Sequence, residues 1–202
     1  ATKFQVCGTI RSEHLKFFFA EELAEFLISG VDLLNTDALL TLLESKRPDV
    51  VVNAAGLTKH LAGSSDPLRA LPMNALLPHR LANLCDIINA RLVHISTDCV
   101  FKGDKGMYTE KDTPDALDLY GQSKALGEVD VQGHITIRTS TIGHELNTAN
   151  GLLNWFMAQS NSCKGYGKAV FSGLATIELA EVIRDFIIPN RSLSGIFNLA
   201  SK

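Results

Sequence analysis

Residues 49–56 read Asp-Val-Val-Val-Asn-Ala-Ala-Gly. Three consecutive valines predict a strand that is buried on both faces, which is typical of a parallel sheet covered by helices. The residues that follow, Ala54, Ala55 and Gly56, are small, so a ligand could lie against the backbone at the carboxyl end of this strand. A plain turn from strand to loop is the alternative interpretation of these small residues.

Strand-like and helix-like segments alternate along the rest of the chain. Besides 50–53, strands are predicted over residues 4–10, 31–34, 91–97, 135–140 and 196–200. Helices are predicted over residues 13–29, 37–45, 73–90, 120–128, 151–159 and 176–188. This alternation indicates βαβ units, and the expected fold is therefore α/β, a doubly wound parallel sheet with helices on both faces.

The composition limits the classes of function. The 202 residues are 46% hydrophobic and 20% charged, as in an ordinary globular protein, and the net charge of −3 predicts neither a nucleic acid nor an anionic membrane as partner. No apolar run approaches the ~20 residues that a membrane helix needs. The four cysteines show no metal-ligand spacing, so no metal site is expected, and a reducing, cytoplasmic location is the simplest interpretation.

Residues 120–124 read Tyr-Gly-Gln-Ser-Lys. On a helix, this spacing places the phenol of Tyr120 and the ammonium of Lys124 on one face, one turn apart. A nearby cation favours the ionised form of a phenol, so the pair could transfer a proton near neutral pH. A surface Tyr and Lys on an ordinary helix is the alternative.

Ligands of parallel α/β sheets bind at the carboxyl ends of the strands. Polar and small residues follow the predicted strands of this chain at those ends: Arg11, Ser12, Asp32, Asn53, Ala54, Ala55, Gly56, Ser96, Thr97, Thr139 and Ser140. We therefore expect a cleft at this edge of the sheet.

Three motifs, in this order and at this separation, resemble those of the extended short-chain dehydrogenase/reductases. They are RPDVVVNAAG at 47–56, HISTDCVFKG at 94–103 and YGQSKALGE at 120–128. The likeness covers residues 4–200 and is closest to the dTDP-4-dehydrorhamnose reductases and related nucleotide-sugar reductases. It implies a Rossmann-like NAD(P)-binding domain over residues 1–143, with a partial substrate-binding region over 144–202.

The resemblance also implies roles for individual residues. Tyr120 would protonate a carbonyl oxygen during its reduction, Lys124 would lower the pKa of Tyr120 and bind the nicotinamide ribose, and Thr97 would hold the reacting oxygen. The cofactor would supply the hydride. Further cofactor contacts are expected from Ser12, Asp32, Asn53, Ala54, Ala55, Gly56, Ser96, Thr139 and Ser140. The implied activity is that of an oxidoreductase that reduces a keto group on a nucleotide sugar with NADP.

Arg11 bears on the choice of cofactor. In dinucleotide folds, an acidic residue after the second strand binds the ribose of NAD, whereas a nearby arginine suits the 2′-phosphate of NADP. Arg11 and Ser12 offer a guanidinium and a hydroxyl at that point, which favours NADP(H) over NAD(H). A solvated arginine at the start of a helix is the alternative.

The family's first strand and its Gly-rich phosphate loop are missing, since no GxGxxG pattern occurs in the chain. That loop supplies the N–H groups that bind pyrophosphate. We therefore expect further residues before Ala1 in the natural protein, and the short C-terminal region predicts residues after Lys202. Dinucleotide binding would be in doubt for a chain complete as printed.

Substrate contacts are expected from Thr58, Lys59, Lys164 and Lys168, with a solvated basic loop as the alternative for the last two. His60 follows Lys59, but an ordinary loop residue is the more common role for such a histidine. Two further functions stay open: a nucleotide-sugar epimerase or dehydratase of the same fold, and a non-catalytic NADP-binding regulatory subunit. The sequence does not identify the sugar or the oligomeric state, for which a homodimer is one option.

Overall fold

The computed structural model describes residues 4–59, 61, 63–146, 148 and 150–201. The chain divides between Lys46 and Arg47 into two compact units. All strand pairs of the described residues are parallel, which confirms the α/β class that the alternating segments predict. The expected domain boundary at residue 143 stays a prediction.

The first unit contains a two-stranded parallel sheet and short helices. Its elements are β1 (Gly8–Thr9), a 3-10 helix (Glu13–Phe18), α1 (Glu21–Ala24), β2 (Leu27–Ile28) and α2 (Thr36–Lys46). Strand β1 pairs with β2. Asn35 begins α2 as predicted, since its side-chain oxygen accepts a hydrogen bond from the Ala38 N–H at 3.0 Å.

Two predictions in this unit are wrong. The helix expected over 13–29 is two short helices separated by extended backbone at Phe19. The strand expected over 31–34 lies earlier, at Leu27–Ile28. The spacing of apolar residues does not distinguish one long helix from two short helices followed by a strand.

The second unit is built on a four-stranded parallel sheet in the order β3-β4-β5-β8. These strands are β3 (Val50–Asn53), β4 (Arg91–Ile95), β5 (Ile135–Arg138) and β8 (Gly195–Asn198). Two short strands, β6 (Thr141–Ile142) and β7 (Leu174–Ala175), form a separate parallel pair. The α-helices are α3 (Pro67–Ala70), α4 (Leu77–Ile88), α5 (Leu119–Leu126), α6 (Leu152–Met157) and α7 (Thr176–Val182). A 3-10 helix spans Asp98–Val100, and a π-helical turn, Ile183–Ile187, continues α7.

The core of this unit lies on the central strands. Val93, Ile135 and Ile137 are buried there together with Ile187, which follows α7. The burial predicted for all three valines of β3 is wrong, since Val50 and Val51 are half-buried and Val52 is 45% exposed. Within the described residues β3 pairs with β4 alone. It is therefore an edge strand, and fewer neighbouring residues cover its side chains.

One continuous helical stretch runs from Pro67 to Ile88, so the helix predicted to begin at Met73 begins earlier. Its middle turn, Leu71–Leu76, is π-helical. Pro78 has no N–H, so the Asn74 carbonyl lacks the partner that it would have in an α-helix. Gly127, at the end of α5, packs against this carbonyl: a Cβ at position 127 would lie 1.9 Å from the Asn74 oxygen.

None of the helices in the described parts of the chain has the length and apolar composition required to cross a membrane.

Replacing Gly127 with alanine is expected to destabilise the protein by about 1–3 kcal/mol, because the added methyl group meets backbone rather than a mobile side chain. Gly165→Ala is the matched control, since a Cβ there meets nothing within 4 Å. Urea unfolding followed by circular dichroism measures both changes. Equal stability of the two variants would contradict the close contact between α5 and the π-helical turn.

Candidate active site

Side chains from the carboxyl ends of three neighbouring strands are buried at one edge of the four-stranded sheet. They are Asn53 at the end of β3, Ser96 and Thr97 after β4, and Thr139 after β5. The parallel pairing of these strands places their ends together, as expected from the sequence. Helix α5, which carries Tyr120 and Lys124, packs beside this edge.

Tyr120 lies in the first turn of α5, near the side chain of Thr97. Asp118 caps the helix, since its carboxylate accepts from the Gly121 N–H at 2.8 Å. Burial raises the pKa of Tyr120 above its ordinary value, while the Thr97 side chain and the charge of Lys59 oppose the rise. The phenol is therefore protonated at neutral pH.

Lys124 is buried one turn after Tyr120, and its Nζ donates a hydrogen bond to the Ile95 carbonyl at 2.8 Å. Burial lowers the pKa of Lys124 to about 8, and the charge of Glu128 opposes this shift. The expectation that Lys124 lowers the pKa of Tyr120 stays a prediction. The cation that acts on the phenol is Lys59, whose Nζ lies 5.7 Å from the centre of the Tyr120 ring.

Lys59 holds the loop after β3 against the start of α5. Its Nζ donates to the Asp118 carboxylate at 2.9 Å, although both side chains remain about half exposed. The loop carries the small residues Ala54, Ala55 and Gly56. A Cβ at Gly56 would lie 3.9 Å from the Lys124 Nζ, so this backbone runs directly beside the lysine.

Asn74 is a residue of the site that the sequence prediction missed. It lies on the π-helical turn, 1% exposed, and binds the backbone of Leu57 twice: its Oδ1 accepts from the N–H at 2.8 Å and its Nδ2 donates to the carbonyl at 3.0 Å. Its Nδ2 also donates to the Ser123 Oγ at 3.1 Å. An asparagine within an apolar helix was the available signal, since buried amides need partners.

His94 is a second missed residue. The Asn53 Oδ1 accepts from the Ala55 N–H at 3.2 Å, so the Asn53 Nδ2 faces the His94 Nδ1 at 3.1 Å and donates to it. Burial and the neighbouring charge of Lys124 lower the pKa of His94 to about 3, and the ring is therefore neutral. The buried pair fixes the turn that begins at Asn53.

The ends of β4 and β5 are joined by polar side chains. Asp98 accepts a hydrogen bond from the Ser140 hydroxyl at 2.5 Å, while the Thr97 Oγ1 accepts from the Cys99 N–H at 3.1 Å. Thr139 is buried beside Ser140. These contacts place the predicted residues of β5 next to those of β4.

Three predicted cofactor residues lie in the first unit. Arg11 is exposed and Ser12 half-buried after β1, at the strand end where the sequence placed them. Asp32 follows β2, and its carboxylate accepts from the Leu34 N–H at 2.9 Å in a local turn. Their roles stay predictions.

The predicted substrate residues differ in how the structure places them. Lys59 is held at the site, and Thr58 is exposed beside it. Lys164 and Lys168 are exposed in a segment without helix or strand. None of the contacts described for them involves Tyr120. His60 lies outside the described residues. Within the described ranges, no group of three His, Cys, Asp or Glu side chains could hold a metal ion.

A family model described as the RmlD substrate binding domain matches residues 11–160. The dTDP-4-dehydrorhamnose reductase of Escherichia coli is 34% identical over 116 residues, which is 55% of this chain and 39% of that protein. The methionine adenosyltransferase 2 subunit beta of Rattus norvegicus is 37% identical over 98 residues, or 48% of this chain and 29% of that protein. The matched regions thus span well under half the length of these two curated relatives.

A solved structure shows the same fold over nearly the whole chain. It is a dTDP-4-dehydrorhamnose reductase from Bacillus anthracis in complex with NADP, with a TM-score of 0.75 and 21% identity. The match covers 98% of this chain and 75% of that one. The fold is therefore Rossmann-like α/β, as the sequence motifs imply.

The charge of Lys59 is expected to lower the pKa of Tyr120. In Lys59→Met, the pKa of the phenol should rise, although only modestly because the half-exposed ammonium is screened by solvent. An ultraviolet difference titration against Tyr120→Phe in each background isolates this tyrosine. Lys111→Met, which removes an exposed lysine, is the control and should leave the midpoint unchanged. An unaltered midpoint in Lys59→Met would contradict the assignment.

Proposed function

The chain belongs to the RmlD substrate-binding domain family, whose model matches residues 11–160, and on this basis we propose that it reduces a keto group on a nucleotide-activated sugar with NADPH. The substrate class follows the name of the Escherichia coli relative, dTDP-4-dehydrorhamnose reductase. The observation that carries the proposal is the position of the Tyr120 phenol, near the side chain of Thr97 and one helical turn before the buried Lys124.

Tyr120 is suited to act as the general acid. A phenol with a raised pKa holds its proton at neutral pH and can give it to the oxygen of a carbonyl that accepts a hydride. Thr97 would hold the same oxygen through its hydroxyl. The phenolate formed would be stabilised by the Thr97 hydroxyl and by the charge of Lys59, both of which favour the ionised form.

The residues beside Lys124 fit the nicotinamide end of a dinucleotide. Ala54 is exposed, Gly56 is half-buried, and both leave backbone accessible beside the Lys124 Nζ. Lys124 would bind the hydroxyls of the nicotinamide ribose, since its pKa of about 8 leaves it mostly charged at neutral pH. Asn53, Ser96, Thr139 and Ser140 would line the same end. When bound, NADPH would supply the hydride.

A non-catalytic subunit is the second candidate, because the rat relative is named as a subunit of methionine adenosyltransferase. In that function the chain would bind the cofactor without turning it over. Cofactor binding and NADPH oxidation therefore have to be measured separately. An epimerase or dehydratase would consume no NADPH in net turnover, and the same assay distinguishes it.

Tyr120→Phe is expected to lower the rate of NADPH oxidation with dTDP-4-dehydrorhamnose by about 100-fold or more, because the general acid is lost. The fall in NADPH absorbance measures the rate. Tyr166→Phe is the matched control, since Tyr166 is 76% exposed and should keep the parent rate. Equal rates in parent and Tyr120→Phe would remove the proton-donor role, and NADPH binding without oxidation in the parent would favour the subunit.

Arg11→Ala tests the proposed preference for NADPH. Loss of a guanidinium from the 2′-phosphate is expected to raise the Kd for NADPH by about 10-fold or more and to leave the Kd for NADH unchanged. Calorimetry measures both. Arg191→Ala, which removes an arginine with a 76% exposed side chain, is the control. A constant ratio of the two affinities would show that Arg11 does not select the cofactor.

A further inference from the structure

The Glu128 carboxylate joins the end of α5 to the ends of β4 and β5. Glu128 lies two residues after the last residue of α5, Ser96 directly follows β4, and Arg138 is the last residue of β5. The Glu128 Oε1 accepts from the Ser96 hydroxyl at 3.0 Å and from the Arg138 Nε at 2.7 Å, and the Oε2 accepts from a terminal nitrogen of Arg138 at 2.7 Å. All three side chains are buried, and together they form the Ser96–Glu128–Arg138 junction.

Arg138 holds the carboxylate of this junction in one orientation, because a planar guanidinium donates to both carboxylate oxygens at once. The guanidinium lies over the Phe101 ring, with 5.0 Å between its carbon and the ring centre. Phe101 in turn stacks on Tyr108, with 4.3 Å between the two ring centres. The oxygen that accepts from Ser96 is therefore held in place, through Arg138, by the aromatic pair.

Stability alone does not account for the junction. Removing two charges from water costs free energy, and well-packed apolar residues of similar volume often give equal or greater stability. The segment after α5 is also attached to β5 by other contacts, since the Thr136 Oγ1 accepts from the Val129 N–H at 3.0 Å and donates to the Val129 carbonyl at 2.9 Å. What the carboxylate adds is the hydrogen bond to Ser96, and with it the end of β4.

Helix α5 contacts the chain on both sides of Thr97. The Lys124 Nζ donates to the Ile95 carbonyl at 2.8 Å. Closer to the start of the helix, a Cβ at Gly121 would lie 2.3 Å from the Cys99 carbonyl oxygen, so the two backbones touch there. The junction adds a third contact, on the residue directly before Thr97. The docking of α5 and the position of Thr97 are therefore linked.

We propose that the Ser96–Glu128–Arg138 junction is a positioning device: it docks the end of α5 on the end of β4 and so sets the position of the Tyr120 phenol relative to Thr97. Arg138 orients the carboxylate, and the carboxylate holds Ser96. The three are positioning residues, because none of them transfers a proton in this assignment. It rests on the proposed function only in naming Tyr120 and Thr97 as the reacting groups.

Fluorine NMR of protein labelled with 3-fluorotyrosine tests the position of the phenol. The chain has three tyrosines, Tyr108, Tyr120 and Tyr166, so single changes to phenylalanine assign the signals. Ser96→Ala and Arg138→Lys should each shift the Tyr120 signal. In the double variant, the shift should equal that of the more strongly shifted single variant, because both changes break the same junction. This measurement needs no cofactor, substrate or turnover, so its outcome is separate from that of the activity assays.

Turnover gives a second measurement. In Ser96→Ala and in Arg138→Lys, kcat for NADPH oxidation with dTDP-4-dehydrorhamnose should fall about 10-fold, because the reacting groups are misplaced. The Kd for NADPH should stay at the parent value, since the cofactor contacts are kept. The double variant should be no slower than the slower single variant. A parent without turnover would contradict the proposed function and leave the fluorine test in force.

Other roles of these residues give different patterns. A purely structural junction would lower the free energy of unfolding, measured with urea, but would leave the Tyr120 signal and kcat of the folded protein at the parent values. A cofactor contact of Ser96 would raise the Kd for NADPH in Ser96→Ala and leave the Tyr120 signal of Arg138→Lys unshifted. Either pattern overturns the proposal, and so do shifts of the two single variants that add in the double variant.

Matched controls make the same substitutions at exposed positions. Ser160 is exposed, and the Arg184 side chain is 50% exposed, so Ser160→Ala and Arg184→Lys should leave the Tyr120 signal and kcat unchanged. Ser96→Ala is expected to fold, because the carboxylate keeps both hydrogen bonds from Arg138. If Arg138→Lys does not fold, Ser96→Ala decides: a shifted Tyr120 signal with an unchanged Kd for NADPH supports the proposal, and any other result overturns it.

Discussion

Parallel pairing of β3, β4 and β5 is the constraint on which the candidate site depends. Because the three strands run in one direction, their carboxyl ends lie at one edge of the sheet, and the residues after them meet there. Asn53 is in register with His94 of β4. This strand ends at Ile95, whose carbonyl accepts the hydrogen bond from the Lys124 Nζ. A slip of one residue in β4 would turn its side chains to the opposite face and remove Thr97 from Tyr120.

Helix α5 reaches this edge because two glycines allow close approach of backbones. A Cβ at Gly121 would lie 2.3 Å from the Cys99 carbonyl oxygen, and one at Gly127 would lie 1.9 Å from that of Asn74. Between these contacts, the Asn74 amide donates to Ser123. The helix that carries the phenol and the lysine is thus fixed near both ends, which defines the position of its side chains better than its eight residues could alone.

Burial and local charge act against each other at the site. Burial favours the neutral form of Tyr120 and of Lys124, raising the pKa of the first and lowering that of the second to about 8. The Thr97 side chain opposes the first shift and the charge of Glu128 opposes the second. The result at neutral pH is a protonated phenol beside a largely charged lysine, which suits proton donation and the binding of ribose hydroxyls.

The sequence by itself determined the α/β class, the strand-end positions of Asn53, Thr97 and Thr139, and the helix that carries Tyr120, because these depend on local pattern and strand direction. It did not predict the break at Phe19, since apolar spacing does not distinguish one helix from two followed by a strand. The tertiary structure alone decided which side chains surround the reacting groups. It brought Asn74, Lys59 and the Arg138–Glu128 pair to them, and it raised the pKa of Tyr120, since burial arises from packing between segments that are distant in the chain.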